Sequence, residues 1–295
     1  MDIISDIRAA ALTHAGAEGA SELPLPRVQI YSLEQPTDLL PLVYEPVVCL
    51  ILQGAKQTLF GNQLRRYAAG ECMVVAAEVV AVAQIIEATP NRPYLAINLH
   101  LDAEIIANLL LNMVEVAEPS VPSGVTSALA SDPLLEAWRR LIELLDRPSE
   151  IPLLAARFEE EILLRLLMGP QGAVLRQFAA PGSRLADIRR AMAWIRTHYA
   201  EHLAIEDMAE IARMSVSVFH RRFKAVSGQS PLQYQKQIRL TEARVRIVGQ
   251  GLSAASAGFT VGYESASQFS REYRRMFGRP PQRDADYLRS AGGIR

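Results

Sequence analysis

The sequence predicts an α+β fold: a small β-barrel or sandwich with flanking helices, then an all-α domain of two helix-turn-helix units joined by a long helix. Three observations carry this expectation. Short segments rich in Val, Ile, Leu and Tyr alternate with Gly, Pro and Asn up to residue 101, and the apolar period turns helical from residue 102 onward. The final hundred residues then repeat themselves at a spacing of fifty.

With 295 residues, 49% of them hydrophobic, the chain has apolar surface enough for two cores, which excludes a disordered or collagen-like protein. No apolar run approaches the roughly 20 residues that span a bilayer. The amino terminus, MDIISDIRAAALTHAG, carries acidic residues where a secretory signal is basic and then apolar, so a cytoplasmic protein is expected. Cys49 and Cys72 are too few for a disulfide framework, and no histidine pair accompanies them at zinc-site spacing. They read as two buried structural thiols, with a redox-sensing pair as the alternative.

After a helical start, residues 28–101 read as strands, clearest at 47–53, 56–60, 72–76, 79–87 and 94–101. Gly61-Asn62, between QTLF and QLRRY, signals a hairpin, because both residues accept the positive φ of a tight turn. Such a barrel holds either one small ligand or only its own side chains. In DAEIIANLLLNMVEV, Asp102 stands at the cap of a helix whose Ile105, Ile106, Leu109 and Leu110 share one face. A loop rich in Pro and Ser, EPSVPSGVTS, follows, then amphipathic helices over 132–146 and 151–168 that pack on the barrel or on a second copy of the chain. The stretch QGAVLRQFAAPGSR marks the boundary between two domains, 1–182 and 183–295.

Net charge divides along the same line. The whole chain carries −1, but residues 1–182 carry −10 and residues 183–295 carry +9. An acidic half joined to a basic half is the asymmetry expected when only the second meets a polyanion.

Within the basic half, Phe219 corresponds to Phe269, Arg221 to Arg271, Phe223 to Tyr273, Lys224 to Arg274, Gly228 to Gly278 and Pro231 to Pro281, and Ser215 and Ser217 correspond to Ser265 and Ser267. Two copies of one small helical unit are therefore expected, at about 203–226 and 253–276. In the first, Ile205, Met208, Ala209 and Ala212 make one apolar stripe and Ser215 caps the next helix. On that helix Phe219, Phe223 and Val226 face inward, while Ser217, His220, Arg221 and Lys224 form a polar, basic stripe. Phe269, Tyr273 and Met276 repeat the inward set, and Ser267, Ser270, Arg271 and Arg274 the outward one. Between the copies, residues 231–248 space Tyr234, Ile238, Ala243 and Ile247 for a long helix that would set the two stripes about 34 Å apart, one turn of duplex DNA.

A helix about 10–12 Å across fits the major groove, where arginine donates two hydrogen bonds to guanine and His, Ser or Gln reaches other base edges. Arg222, Lys224, Arg274 and Arg275, with Ser215 and Ser265 at the helix starts, suit phosphates.

These two units, IEDMAEIARMSVSVFHRRFKAVSGQSPLQYQKQIRLTEAR and GFTVGYESASQFSREYRRMFGRPPQRD, resemble the AraC/XylS family of transcription regulators over about 203–287. The resemblance implies base-reading positions at Ser217, His220 and Arg221 and again at Ser267, Gln268 and Arg271. PVVCLILQGAKQTLFG, the GEC turn at 70–72 and RPYLAINLHLD are similar to the family's sensor half, which implies a cupin-like barrel that receives a small effector and dimerises, with DNA and RNA polymerase as partners. Two departures, Gly258 in place of alanine and QRDADY at the end, imply a less tightly packed second unit. No catalytic constellation, cofactor or metal is expected, since His100 is the lone histidine of the strand region. The alternatives are a cupin-type enzyme fused to a DNA-binding tail and a regulator whose first domain only dimerises.

Overall fold

The computed structural model describes residues 2–16, 18–61, 63–111, 113, 123–180 and 182–290. Helix α1 (Ile3–His14) leads into strands β1 (Gly19–Glu22), β2 (Val28–Leu33), β3 (Leu40–Tyr44), β4 (Val47–Gln53), β5 (Ala55–Phe60), β6 (Gln63–Ala68), β7 (Glu71–Val75), β8 (Val79–Glu87) and β9 (Tyr94–His100). They form two antiparallel sheets, one joined by the later strand β10 (Val125–Leu129), with the orders β1-β2-β9-β4-β7-β10 and β3-β8-β5-β6. Strand β4 is buried along its whole length, because α1 packs on the sheet it centres while the opposite face looks into the sandwich. The hairpin of β5 and β6 closes through the Phe60–Gln63 pair with Gly61 at φ 57°, as the turn signal predicts; Asn62 lies outside the described residues.

Asp102 caps α2 (Ala103–Leu110) by accepting hydrogen bonds from the Glu104 and Ile105 amides. Much of the expected Pro and Ser loop lies outside the described residues, but its end is not a loop. Residues from Val125 pair in register with β7 as β10, because Val and Thr suit a strand and the β7 edge is open to them. Helices α3 (Asp132–Glu143) and α4 (Ile151–Met168) follow as expected, and they bury Trp138, Leu141, Ile162 and Leu166 within the same chain. The stretch read as a boundary contains α5 (Gly172–Ala179), whose Val174, Leu175 and Phe178 join the core.

The second half is helical throughout: α6 (Arg184–Thr197), α7 (Ile205–Ile211), α8 (Val216–Ser227), α9 (Pro231–Gln250), α10 (Ala254–Thr260), α11 (Ala266–Phe277) and α12 (Pro281–Ser290). The apolar core does not part at residue 182. One continuous cluster runs from Ile7 through the sheets and α6 to Phe219, Phe223, Tyr234 and Ile238, whereas a second, separate cluster holds Leu240, Ile247, Val261, Phe269 and Tyr273.

Candidate nucleic-acid interface

The repeat seen in the sequence is a repeat of structure. Helices α8 and α11 begin and end at positions fifty residues apart, and each stops at a glycine in the left-handed region, Gly228 at φ 78° and Gly278 at φ 79°. Only glycine adopts that backbone without strain, and each chain then turns into a helix that starts at a proline, Pro231 or Pro281.

Burial separates the two faces of each helix. Phe219, Phe223, Phe269 and Tyr273 are fully buried, and edge-to-face contacts join Phe219 to Phe223 and Phe269 to Tyr273 at matching centroid distances of 5.4 and 5.5 Å. Ser217, Arg221 and Lys224 are exposed on α8, as are Ser267, Gln268, Arg271, Arg274 and Arg275 on α11; His220 is half-buried. Among the described residues, Arg221, Lys224, Arg271, Arg274 and Arg275 form no ion pair, while Arg244 and Lys236 on α9 do. Two clusters of free cations are thereby displayed from duplicated helices. Burial, and then the neighbouring Arg184 and Arg221 guanidiniums, pull the Arg222 pKa below the ordinary arginine value, so an incoming anion would relieve that repulsion.

The first turns of the two helices differ. Both cap-position serines meet the serine two residues on, Ser215 with Ser217 at 3.5 Å and Ser265 with Ser267 at 2.9 Å, but Ser265 also caps α11 by accepting from the Gln268 amide, a bond that Ser215 does not make on α8. The expected side-chain cap is therefore made in the second unit alone. Gln268 leans toward Glu272 at 3.5 Å, and Glu272 also accepts from Lys236 Nζ at 3.0 Å and from the Tyr263 hydroxyl at 2.8 Å, a network that joins α11 to α9.

The looser packing expected of the second unit is not found. A Cβ on Gly258 would come within 2.9 Å of the Phe269 ring, so the missing methyl lets that ring sit closer than alanine permits. In QRDADY, Asp284 is fully buried, accepts from Arg244 Nε at 2.8 Å and takes the Tyr273 hydroxyl at 2.8 Å. Nothing in the spacing of the sequence pairs Asp284 with Arg244, forty residues away.

Between the two sheets lies a cavity of about 330 Å³. Its apolar wall includes Leu40, Leu42, Ile85 and Ala96, and Lys56 and His100 also line it. Strand β3, which contributes Leu40 and Leu42, also packs against α9 and α11. Cys49 points into this cavity, while Cys72, paired with Leu50 across the sheet, points to the opposite face, so the two thiols cannot meet in a disulfide. Burial pushes the Cys72 thiol pKa up. Among the described residues no group of His, Cys, Asp and Glu converges as a metal site, and no helix is long and apolar enough to cross a membrane.

Known proteins share both halves. Residues 24–174 match the model of the AraC-type transcriptional regulator N-terminus, and residues 208–286 match a helix-turn-helix domain. The chain is 28% identical over 174 residues to the HTH-type transcriptional regulator ExsA of Pseudomonas aeruginosa, covering 59% of this chain and 62% of that one. It is 28% identical over 151 residues to the HTH-type transcriptional activator RhaS of Salmonella arizonae, covering 50% and 53%. The match thus spans less than two thirds of either relative. The fold is shared with unsaturated fatty acid bound ToxT of Vibrio cholerae at a TM-score of 0.54 and 10% identity, over 88% of this chain and 94% of that one. A two-sheet first half matched over about half the chain, followed by paired turn units that display free arginines, leaves one assignment: the chain belongs to the family of AraC-type transcriptional regulators.

Proposed function

We propose that this protein reads two successive major-groove segments of double-stranded DNA with α8 and α11 and that a small effector in the sandwich cavity controls the reading. The single observation behind it is the matched pair of faces, aromatic inside and cationic outside, at a fifty-residue offset. Ser217, His220, Arg221, Ser267, Gln268 and Arg271 are assigned to base edges. Ser215, Arg222, Lys224, Ser265, Arg274 and Arg275 are assigned to phosphates. Helix α9, with 20 residues at 1.5 Å each, is about 30 Å long, a length suited to holding two reading helices near one duplex turn apart.

The effector reading draws on the cavity and on the fatty acid carried by ToxT, with which the fold is shared. Strand β3 gives it a route, since the same strand touches the cavity and the DNA-reading half. On this reading the chain is a regulator and not an enzyme, divided functionally at residues 182 and 183, dimeric, located in the cytoplasm on the nucleoid, and in contact with RNA polymerase when bound to its site.

Selection of bound sequences from random duplex DNA by the full chain tests the reading. The expected product is a site with two half-turn boxes. Arg221→Ala should cost about 1–3 kcal/mol at one base and relax preference there, whereas Lys224→Ala should weaken all sequences alike and reduce the salt slope by about one. No enrichment over the starting pool, or two variants that behave identically, would refute the assignment.

A further inference from the structure

The sandwich interior contains a cation where a core has none. Lys56 lies on β5, is 6% exposed, and forms no ion pair among the described residues. Its ammonium lies 3.4 Å from Cys49 Sγ, 3.5 Å from the Tyr44 hydroxyl and 5.4 Å from the centre of the Tyr44 ring, with Tyr94 as a further hydrogen-bonding neighbour. Burial works against the charge, but Cys49, Tyr44 and Tyr94 around it outweigh burial and hold the Lys56 pKa well above the ordinary lysine value. None of these three is a carboxylate, so the place of a counter-ion beside the ammonium is left for a ligand.

Other polar groups on the same interior face are also unmet. Thr58, two residues along β5, is fully buried with its hydroxyl unpartnered, and so is the hydroxyl of Tyr67, the β6 residue paired with Lys56. Across the cavity, Cys49 pairs with Asn98 and Asn98 with Gln29, so these three side chains form one row on adjacent strands. At about 4.8 Å per strand, the row reaches roughly 10 Å from Cys49. His100 lies one step further along β9, and Asn98, Gln29 and His100 all line the cavity. The cavity wall also carries the apolar side chains Leu42, Ala83, Ile85 and Ala96.

Resting on the effector reading above, we propose that the cavity takes a compact organic acid that bears a second hydrogen-bonding group. Its carboxylate sits against Lys56 Nζ, its apolar body lies against the apolar wall, and its second group meets the row of Gln29, Asn98 and His100. A long aliphatic chain answers the lysine but not that row. A neutral ligand answers the row but leaves the ammonium unmatched.

Thermal melting of the full chain tests this with 4-hydroxyphenylacetate, its uncharged amide, phenylacetate and octanoate. The expected order of stabilisation is the hydroxy acid first, phenylacetate and octanoate below it, and the amide last. In Lys56→Met the acid should lose its advantage over the amide. In Asn98→Leu the hydroxy acid should fall to the level of phenylacetate while both acids still exceed the amide. Equal shifts from acid and amide, no shift from any of the acids, or a Lys56→Met chain that responds like the parent would each overturn the proposal. DNA selection run without added acid separates the two readings. Enrichment without an acid preference refutes the ligand class alone, and an acid preference without enrichment refutes the DNA reading alone.

Discussion

The two helix-turn-helix units are copies in sequence but not in how they are held. The first is fused to the sandwich. Its aromatic core is continuous with that of the sheets, the Tyr234 hydroxyl donates to the Glu78 carbonyl at 3.0 Å, and Arg196 bridges Glu78 at 2.9 Å and Glu45 at 3.2 Å. The end of α8 touches the β5–β6 hairpin backbone to backbone, since a Cβ on Gly61 would overlap the Gly228 carbonyl. The second unit has a core of its own and meets the sandwich at its surface, where Asp38 takes the Tyr287 hydroxyl at 3.0 Å and faces Arg279 at 3.7 Å. Exposed pairs of that kind contribute little. Duplication of a sequence therefore carries over the fold of the unit and its reading face, while the mechanical coupling of each copy depends on what surrounds it.

Core truncation should reveal that difference most strongly. Phe223→Ala and Phe269→Ala each remove a fully buried ring and should cost about 3–5 kcal/mol. Loss of Phe223 should lower amide-exchange protection in α8 and in the sheets together, whereas loss of Phe269 should lower it in α10 to α12 and leave the sheets intact. If both variants loosen the same residues, the two cores are one cooperative unit and the contrast fails.

Asp284→Ala isolates the second unit by a different means. It strands Arg244 with 11% of its side chain exposed, and should cost about 3 kcal/mol, the lower end for a broken buried pair, because the guanidinium keeps its stacking on Phe277 at 4.5 Å. Denaturant melts followed by exchange should show α11 opening before α8. An unchanged midpoint would mean that the pair adds nothing to the fold.

The smallest expected effect is in pH. Burial alone would raise the Glu272 pKa, but the hydrogen bonds from Lys236 and Tyr263 pull it below the ordinary carboxylate value. A depressed carboxylate contributes stability that is complete above its unfolded pKa, about 4.3, and is lost as pH falls through the lower folded value. The second unit should accordingly soften below about pH 4.3 ahead of the first, and Glu272→Gln should flatten that part of its pH profile. A parent profile already flat there would show the network to be inert.

Much of the reading face was legible before any coordinates, because helical spacing alone decides that Phe219 and Phe223 share one side and Arg221 and Lys224 the other. Glycine after each reading helix and proline at the start of the next were legible for the same reason, being local demands of the backbone. The cavity was not. On β5 Lys56, Thr58 and Phe60 are buried along with Ala55 at the start, while Gln57 and Leu59 are less so, and hydropathy alone could not say which set faces inward. Nor did the QRDADY ending disclose a buried partner for Arg244.

What the sequence determined by itself was local and periodic: many of the strand and helix spans, though not β10 or α5, the repeat, the charge division and the two faces of each reading helix. Only the tertiary structure decided which groups separated by long stretches of chain came together, among them Lys56 with Cys49 across the sandwich, Arg244 with Asp284, and Gly61 with Gly228. Periodicity follows from the geometry of one element, whereas these meetings depend on how several elements pack at once, and no repeat along the chain encodes that.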